Sequence, residues 1–288
     1  MSAPPIPPVA EPEAPRPLVS VVTAAFNVRA GVVRTAESVA AQALGAGGPG
    51  AVEAGAVEPG AVEHVVIDGG STDGTAEWLA GREGIRWISE PDGGIADAMN
   101  KGAALARGEW ILFLHAGDLF DGPDALARVV PALHAAAAAG EQIVSCDVAI
   151  GPERRPYRAT GLWLKTELKT TIPHQGAFCR RALFERIGGF DGGWRVAMDY
   201  EFFLRAMRAG ARCRLPGGVL ATMDDGGVSS RRDWPSVARR LGEERRIHAL
   251  HRPGAGGLRR AWVAALHAAW WPPYLLYRRL KAWRAARG

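Results

Sequence analysis

Cysteine is scarce in this chain. Cys146, Cys179 and Cys213 are the only three in 288 residues, and they lie far apart. No disulfide framework is expected, and the spacing matches no metal-ligand or redox pattern, which suits a reducing compartment. Long apolar runs are lacking too. The weakly polar stretch from Ala261 to Tyr277 is short and split by Pro272-Pro273, whereas a bilayer-spanning helix needs about 20 apolar residues. The N-terminal MSAPPIPPVAEPEAPRP has neither the basic start nor the apolar centre of a secretory signal. Residues 1–17 are therefore expected to form a disordered, Pro-rich leader. Two phosphate-binding signatures are missing as well: Ala24-Ala-Phe-Asn stands where a dinucleotide fingerprint would follow the first strand, and there is no P-loop.

Acidic residues are few at the C-terminal end. Arg231 to Gly288 holds 14 Lys and Arg against 3 Asp and Glu, a surplus of 11, which leaves the preceding residues at −6 within a net charge of +5. The basic character belongs to the tail, so charge-seeking partners are sought there. The remainder is 48% hydrophobic over the whole chain, enough for one large α/β core with an appendage.

Leu18 to Phe26 reads as a strand, followed by Val32, Val33, Ala36, Val39 and Ala40 at helical spacing. Residues 45–63 are a Gly/Ala/Glu near-repeat of five residues, too short for a solenoid, and read as a flexible surface insertion. His64 to Asp68 is a second strand ending in an acid followed by Gly69-Gly70, and Ile85 to Ser89 a third. After the turn cluster Pro91-Asp92-Gly93-Gly94 and an amphipathic helix, the apolar run Trp110 to Leu114 is a buried strand that delivers Asp118 to its carboxyl end. Open α/β sheets place ligands at that end. A carboxylate there suits a hard divalent ion shared with a diphosphate, or alternatively caps the following segment. Gln142 to Asp147 is expected as one further strand, and Tyr157 to Leu168 as an acceptor-side loop.

The strings SVVTAAFN, EHVVIDGGSTDGTAEWL, SEPDGGIADAMNKG, GEWILFLHAGD and VAMDYEFFLRA resemble, in order, the motifs of family 2 glycosyltransferases with the GT-A fold. The likeness is greatest to the bacterial branch that builds exopolysaccharide and cell-envelope glycans, and it spans about Leu18 to Met223. It implies an α/β GT-A catalytic domain over 18–225, with a mostly parallel central sheet flanked by helices and a basic helical tail over 226–288. It implies inverting transfer of a sugar from a nucleotide-diphosphate sugar to a saccharide or lipid-linked acceptor. Rival readings are a catalytically silent sugar-nucleotide binding protein and a sugar nucleotidyltransferase.

Carried over by residue, the resemblance puts Asp68 at the base or ribose and Ala24 and Phe26 along the base. Asp92 and Lys101 help enclose the nucleotide sugar, and His174-Gln175 face the sugar. Asp118 matches the last acid of the metal motif for Mg²⁺ or Mn²⁺, with His115 as a further donor; His115 and Gly117 stand where many relatives have aspartates. Asp199 matches the general base, and the chemistry needs one because an acceptor hydroxyl is a poor nucleophile until its proton is taken. Glu201 is the second choice for that role.

In the tail, Leu276, Leu280 and Trp283 share a helical face, opposed by Arg278, Arg279, Lys281 and Arg284. Aromatics and arginines so mixed suit an interfacial helix at anionic headgroups. Packing back on the catalytic domain is the alternative, and nucleic acid is not expected as a partner. The implied location is cytoplasmic, peripheral on the inner-membrane face.

Overall fold

The structure is a computed structural model that describes residues 16–43, 61–160, 166–224, 233–251 and 258–285. Most of the expected leader (1–15) and of the 45–63 insertion (45–60) lies outside the described residues. Val62 and Glu63, expected within that insertion, instead open a strand of the central sheet, where the Glu63 carboxylate is buried and accepts from the Ser20 hydroxyl at 2.5 Å. Strands β1 (Val19–Ala25), β2 (Val62–Asp68), β3 (Ile85–Ser89) and β4 (Trp110–Phe113) run parallel in the order β4-β1-β2-β3. Beyond β4 the sheet continues through β9 (Ala177–Arg180), antiparallel to both neighbours, to β6 (Ile143–Ser145) and then β10 (Cys213–Arg214).

A strand buried on both sides sends alternate residues to opposite layers. In β4, Ile111 and Phe113 join the core under α3 (Ile95–Leu105), α5 (Arg181–Arg186) and α6 (Met198–Arg208). Trp110 and Leu112 face the other layer, with α1 (Arg29–Ala43) and α4 (Ala125–Ala138). Helix α3 lies so close on β1 that a Cβ at Gly102 would stand 2.3 Å from Val22 Cγ1. Only glycine permits that approach. Helix α2 (Thr75–Ala80) closes the β2–β3 connection.

A second sheet, in the order β5-β11-β7-β8, is made of β5 (Leu119–Phe120), β7 (Asp147–Ile150), β8 (Arg155–Tyr157) and β11 (Val219–Met223). The single strand expected over Gln142 to Asp147 is thus two strands in different sheets. They break at Cys146, whose N–H donates to the Gly176 carbonyl (2.8 Å), because a close-packed glycine turn crosses the chain there.

The tail begins with α7 (Trp234–Leu250), capped by Asp233, whose side chain accepts from the Ser236 N–H at 2.9 Å. Val237, Leu241, Ile247 and His248 of this helix are buried, and His248 meets the Tyr200 hydroxyl at 2.7 Å. Helix α8 (Leu258–Ala285) runs on through Pro272-Pro273 rather than splitting there. Its contacts lie on both sides of the prolines: ahead of them the His267 ring meets the Glu167 carbonyl at 2.8 Å and Trp271 Nε1 donates to His248 Nδ1 at 3.1 Å, and beyond them the Arg279 guanidinium lies over the Trp234 ring at 5.9 Å. His248 and His267 stack at 4.1 Å. Tertiary contacts on both sides hold the helix across the missing donors, and both prolines face outward.

Candidate active site

The carboxyl ends of β1 and β2 are latched together. Asn27 takes a positive φ of 51°; its N–H donates to Ser71 Oγ (2.7 Å) and its Oδ1 accepts from the Thr72 N–H (2.9 Å). Beside this latch Phe26 projects, 64% exposed. Its ring edge and the Asp92 carboxylate flank Gly69, where a Cβ would lie 3.4 Å from Phe26 Cδ2 and 2.6 Å from Asp92 Oδ2. Phe26, Gly69 and Asp92 therefore form one open, flat-sided niche. Ala24 lies two residues back on β1, paired with Ile67.

Asp68 sits beneath that niche, fully buried. It accepts from the Ser71 N–H (3.1 Å), the Ser71 hydroxyl and the Ser89 hydroxyl (2.7 Å). Its visible work is to shape the turn over which a ligand would lie. Lys101 is engaged locally: Nζ pairs with Glu90 at 2.8 Å and Asp97 at 3.3 Å, and donates to the Pro91 carbonyl at 3.3 Å. It staples the Pro91 to Gly94 turn to α3, and these partners raise its pKa.

The second half of the site forms where β4 ends. The loop His115 to Asp118 turns through Gly117 at φ +106°, and Thr35 of α1 holds it, accepting from the Gly117 N–H and donating to the Asp118 carbonyl, each at 2.9 Å. A side chain at 117 would strain that backbone. The Asp118 carboxylate accepts from the Asp224 N–H at 3.0 Å. Burial pushes its pKa up, against the opposing influence of His174, the Asp224 N–H, the Gln175 side chain and the His115 N–H. A carboxylate holding these tertiary donors is not acting as a helix cap.

Residues His174–Gly176 form a short 3₁₀ turn just ahead of β9. Gln175 reaches Asp118, while His174 Nδ1 lies 3.1 Å from Asp199 Oδ2 at the start of α6. The His174 ring also meets the His115 ring edge-on, with centroids 4.9 Å apart. Two consecutive side chains thus connect acids that are 81 positions apart in sequence. Both ring nitrogens of the partly buried His115 are shut off from solvent and unpartnered among the described residues, and desolvation, with the neighbouring His174, lowers its pKa to about 3. It is a neutral imidazole.

Asp199 is not the cap of α6. The amides of Arg195, Val196 and Ala197 ahead of that helix are taken at 2.8–3.2 Å by the Glu243 carboxylate, reaching across from α7. Asp199 is left with His174 and its neighbour's N–H (Tyr200, 2.7 Å), partly open to solvent. Glu201 is committed elsewhere: buried, it forms a two-pronged pair with Arg205 and meets His251 at 2.8 Å. That arrangement removes it as a base.

The model of the family described as glycosyl transferase family 2 matches residues 20–198. The chain belongs to glycosyltransferase family 2. An uncharacterized glycosyltransferase of Mycobacterium tuberculosis is 38% identical over 260 residues, covering 85% of this chain and 88% of the relative. A PGL/p-HBAD biosynthesis glycosyltransferase of Mycobacterium bovis is 35% identical over 199 residues, 66% of this chain and 69% of that one. Among solved structures, S. aureus TarS 1–349 in complex with UDP-GlcNAc superposes with a TM-score of 0.60 at 15% identity, covering 87% of this chain and 70% of TarS. The mannosyltransferase PcManGT from Pyrobaculum calidifontis, in complex with GDP-Man and Mn2+, gives 0.54 at 20% identity over 93% and 85%. The GT-A fold expected from the motifs is the fold observed.

Sequence reasoning passed over four residues of this glycosyltransferase: Thr35, Asp224, Glu243 and Glu244. The first two work through backbone contacts that leave no trace in a sequence. The glutamates sit in Trp234 to Leu250, a segment that reads as an arginine-rich helix. One signal was available for Glu244: Val237, Leu241, Glu244 and His248 fall on a single stripe at helical spacing, so an acid occupies an inward position.

Proposed function

We propose that the chain is an inverting transferase acting on a nucleotide-diphosphate sugar, with Asp199 as general base and Asp118 on the leaving-group side. The observation that carries this is the His174-Gln175 pair, which gives one side chain to each acid. The nucleoside lies in the niche of Phe26 and Asp92 above Asp68. An acceptor hydroxyl attacks the anomeric carbon as Asp199 takes its proton; the bond from that carbon to the diphosphate oxygen breaks, and the nucleoside diphosphate leaves with the electron pair. His174, with its proton on Nδ1, holds Asp199 in place through the whole step. A single displacement inverts the configuration.

For Mg²⁺ or Mn²⁺, the available donors are the Asp118 carboxylate and the neutral His115 imidazole. No group of three His, Cys, Asp or Glu side chains is assembled for a metal among the described residues. The two donors fit an ion that takes its other positions from diphosphate and water, as hard divalent ions do. When bound, it would neutralise charge on the departing diphosphate.

A panel of nucleotide sugars tested with and without Mn²⁺ decides the donor. The matching one, at a hundredfold its Kd, is expected to raise Tm by about 5–10 °C, and the product should carry the anomeric configuration opposite to the donor's. A panel that leaves Tm unmoved counts against the donor site, and retained configuration counts against single displacement.

The acceptor we favour is a lipid-linked saccharide at the cytoplasmic face of the membrane, in envelope or exopolysaccharide synthesis. The Mycobacterium bovis relative is named for PGL/p-HBAD biosynthesis, and α8 leaves Leu276, Tyr277 and Leu280 exposed on one surface. Arg279 lies over the half-exposed Trp234 ring at 5.9 Å, placing a cation beside that surface. Trp283, Lys281 and Arg284 lie outside the described side chains. No helix among the described residues is long and apolar enough to cross a membrane. The full chain should sediment with anionic liposomes, and Leu276→Glu with Leu280→Glu should release it; equal pelleting defeats the membrane assignment.

A further inference from the structure

Helix α7 turns two consecutive acids, Glu243 and Glu244, into the protein, each 4% exposed. Their situations are opposite. Glu243 spends both oxygens on three backbone amides. Glu244 Oε2 has no hydrogen-bond partner among the described residues, and Oε1 only faces Arg240 Nε at 3.9 Å, beyond hydrogen-bond reach. The charges that act on it are Arg240 on its own helix, Lys169 in the turn ahead of β9 and Asp199 at the start of α6, and its own charge acts on the phenols of Tyr157, Tyr200 and Tyr274. Because the adjacent Glu243 binds the amides of Arg195, Val196 and Ala197, ending two residues before Asp199, this turn of α7 is anchored at the start of α6, and Glu244 belongs to the surroundings of the proposed base. His174 Nε2, on the ring that contacts Asp199, is also buried and unpartnered.

A buried oxygen left unpaired is a cost to folding that a ligand donor removes. A second anion is a poor candidate for that ligand beside Asp199 and Glu244. A neutral polyol fits, since its hydroxyls donate to a carboxylate and also donate to or accept from an imidazole.

We propose that Glu244 is an acceptor-binding residue, its carboxyl taking a hydrogen bond from a saccharide hydroxyl near the one that attacks, so that the C-terminal helix completes the acceptor subsite. This rests on the transfer reading above. The family match ends at residue 198, well before α7; the helix would therefore carry acceptor choice on a part of the chain outside the matched segment.

A purely structural role makes a different forecast. Burial, with Asp199 adding to it and Arg240 and Lys169 opposing, pushes the Glu244 carboxyl up to about 7 from an ordinary 4.5. The folded state then keeps a proton the unfolded chain has released. Stability contributed by this group is complete below about 4.5 and is lost as the pH rises toward and through about 7. At pH 8 Glu244 works against folding, which is the behaviour of a group kept for a ligand.

The test compares the full chain with Glu244→Gln and Glu244→Asp. Three quantities are measured: Tm against pH, binding of octyl glycosides of mannose, glucose, galactose, rhamnose and N-acetylglucosamine, and binding of UDP and GDP. Glu244→Gln should melt above the wild type at pH 8, with the gap closing toward pH 4. Both variants should bind the preferred glycoside about 10-fold or more weakly at pH 8: Glu244→Gln keeps an acceptor oxygen but exchanges a charged hydrogen-bond partner for a neutral one, and Glu244→Asp withdraws the carboxyl by one methylene. In transfer, acceptor KM should rise by the same factor, with kcat within about threefold and nucleotide binding unchanged. Glycoside affinity within twofold of wild type in both variants overturns the proposal, and so does a wild-type protein that binds none of the glycosides. A wild type that binds glycoside but no nucleotide instead sinks the donor reading and leaves this subsite standing.

Discussion

Asp199→Asn is expected to lower transfer by roughly 10³-fold in kcat, within the range for removal of a general base, while nucleotide affinity and Tm stay near wild type. The reasons lie in the site. The amide side chain keeps an oxygen for the Tyr200 N–H or for His174, and Glu243 rather than Asp199 caps the approach to α6, so the helix start survives. What disappears is the group that accepts the proton. Single-turnover transfer measured alongside calorimetric nucleotide binding separates the two effects. A variant that retains a tenth or more of wild-type kcat would show that another group takes the proton. A wild-type protein that binds nucleotide sugar without turnover would be the silent binding protein instead.

The second large effect is expected at Asp118. Asp118→Asn should cost roughly 10²- to 10³-fold in kcat, the scale for removing electrostatic stabilisation of a developing charge, and should abolish any Mn²⁺-dependent part of nucleotide binding. The variant can still accept from the Asp224 N–H through its amide oxygen, so the loop remains in place. Because burial holds the Asp118 pKa above its ordinary value, the folded carboxylate is disfavoured once ionised. Its contribution to stability is complete below the unfolded pKa and is lost as the pH rises through the folded one. Replacing it with a neutral amide should therefore leave the unliganded Tm unchanged or higher at pH 7.5. A Tm that falls by several degrees, together with lost activity, would point to a structural role. Lost activity at an unchanged Tm would place Asp118 in the chemistry.

Both expectations concern acids that the sequence already singles out, and the reason is local. A carboxylate at the end of a continuous apolar run, as Asp118 is, is marked by pattern, whereas Asp199 is marked by its place in a motif of the resembled family. Lys101 shows where pattern stops. It belongs to the same motif as Asp92, yet its ammonium is occupied by Glu90, Asp97 and the Pro91 carbonyl, an arrangement set by how the turn folds over α3. Gly117 is informative in the other direction. Where many members of the resembled family have an aspartate, this chain takes a positive φ held by Thr35, a residue 82 positions earlier.

The amino-acid order alone determined the alternation of strands and helices, the strand-end positions of Asp68 and Asp118, and the family to which the motifs belong, because hydrophobic period and motif spacing are written residue by residue. The tertiary structure decided which of those groups meet. It set His174 against Asp199 and Gln175 against Asp118, spent Glu201 on Arg205 and His251, and brought Glu243 and Glu244 of the basic tail to the same place. Contacts between distant positions depend on how layers pack, and packing depends on shapes and volumes that no single stretch of sequence records.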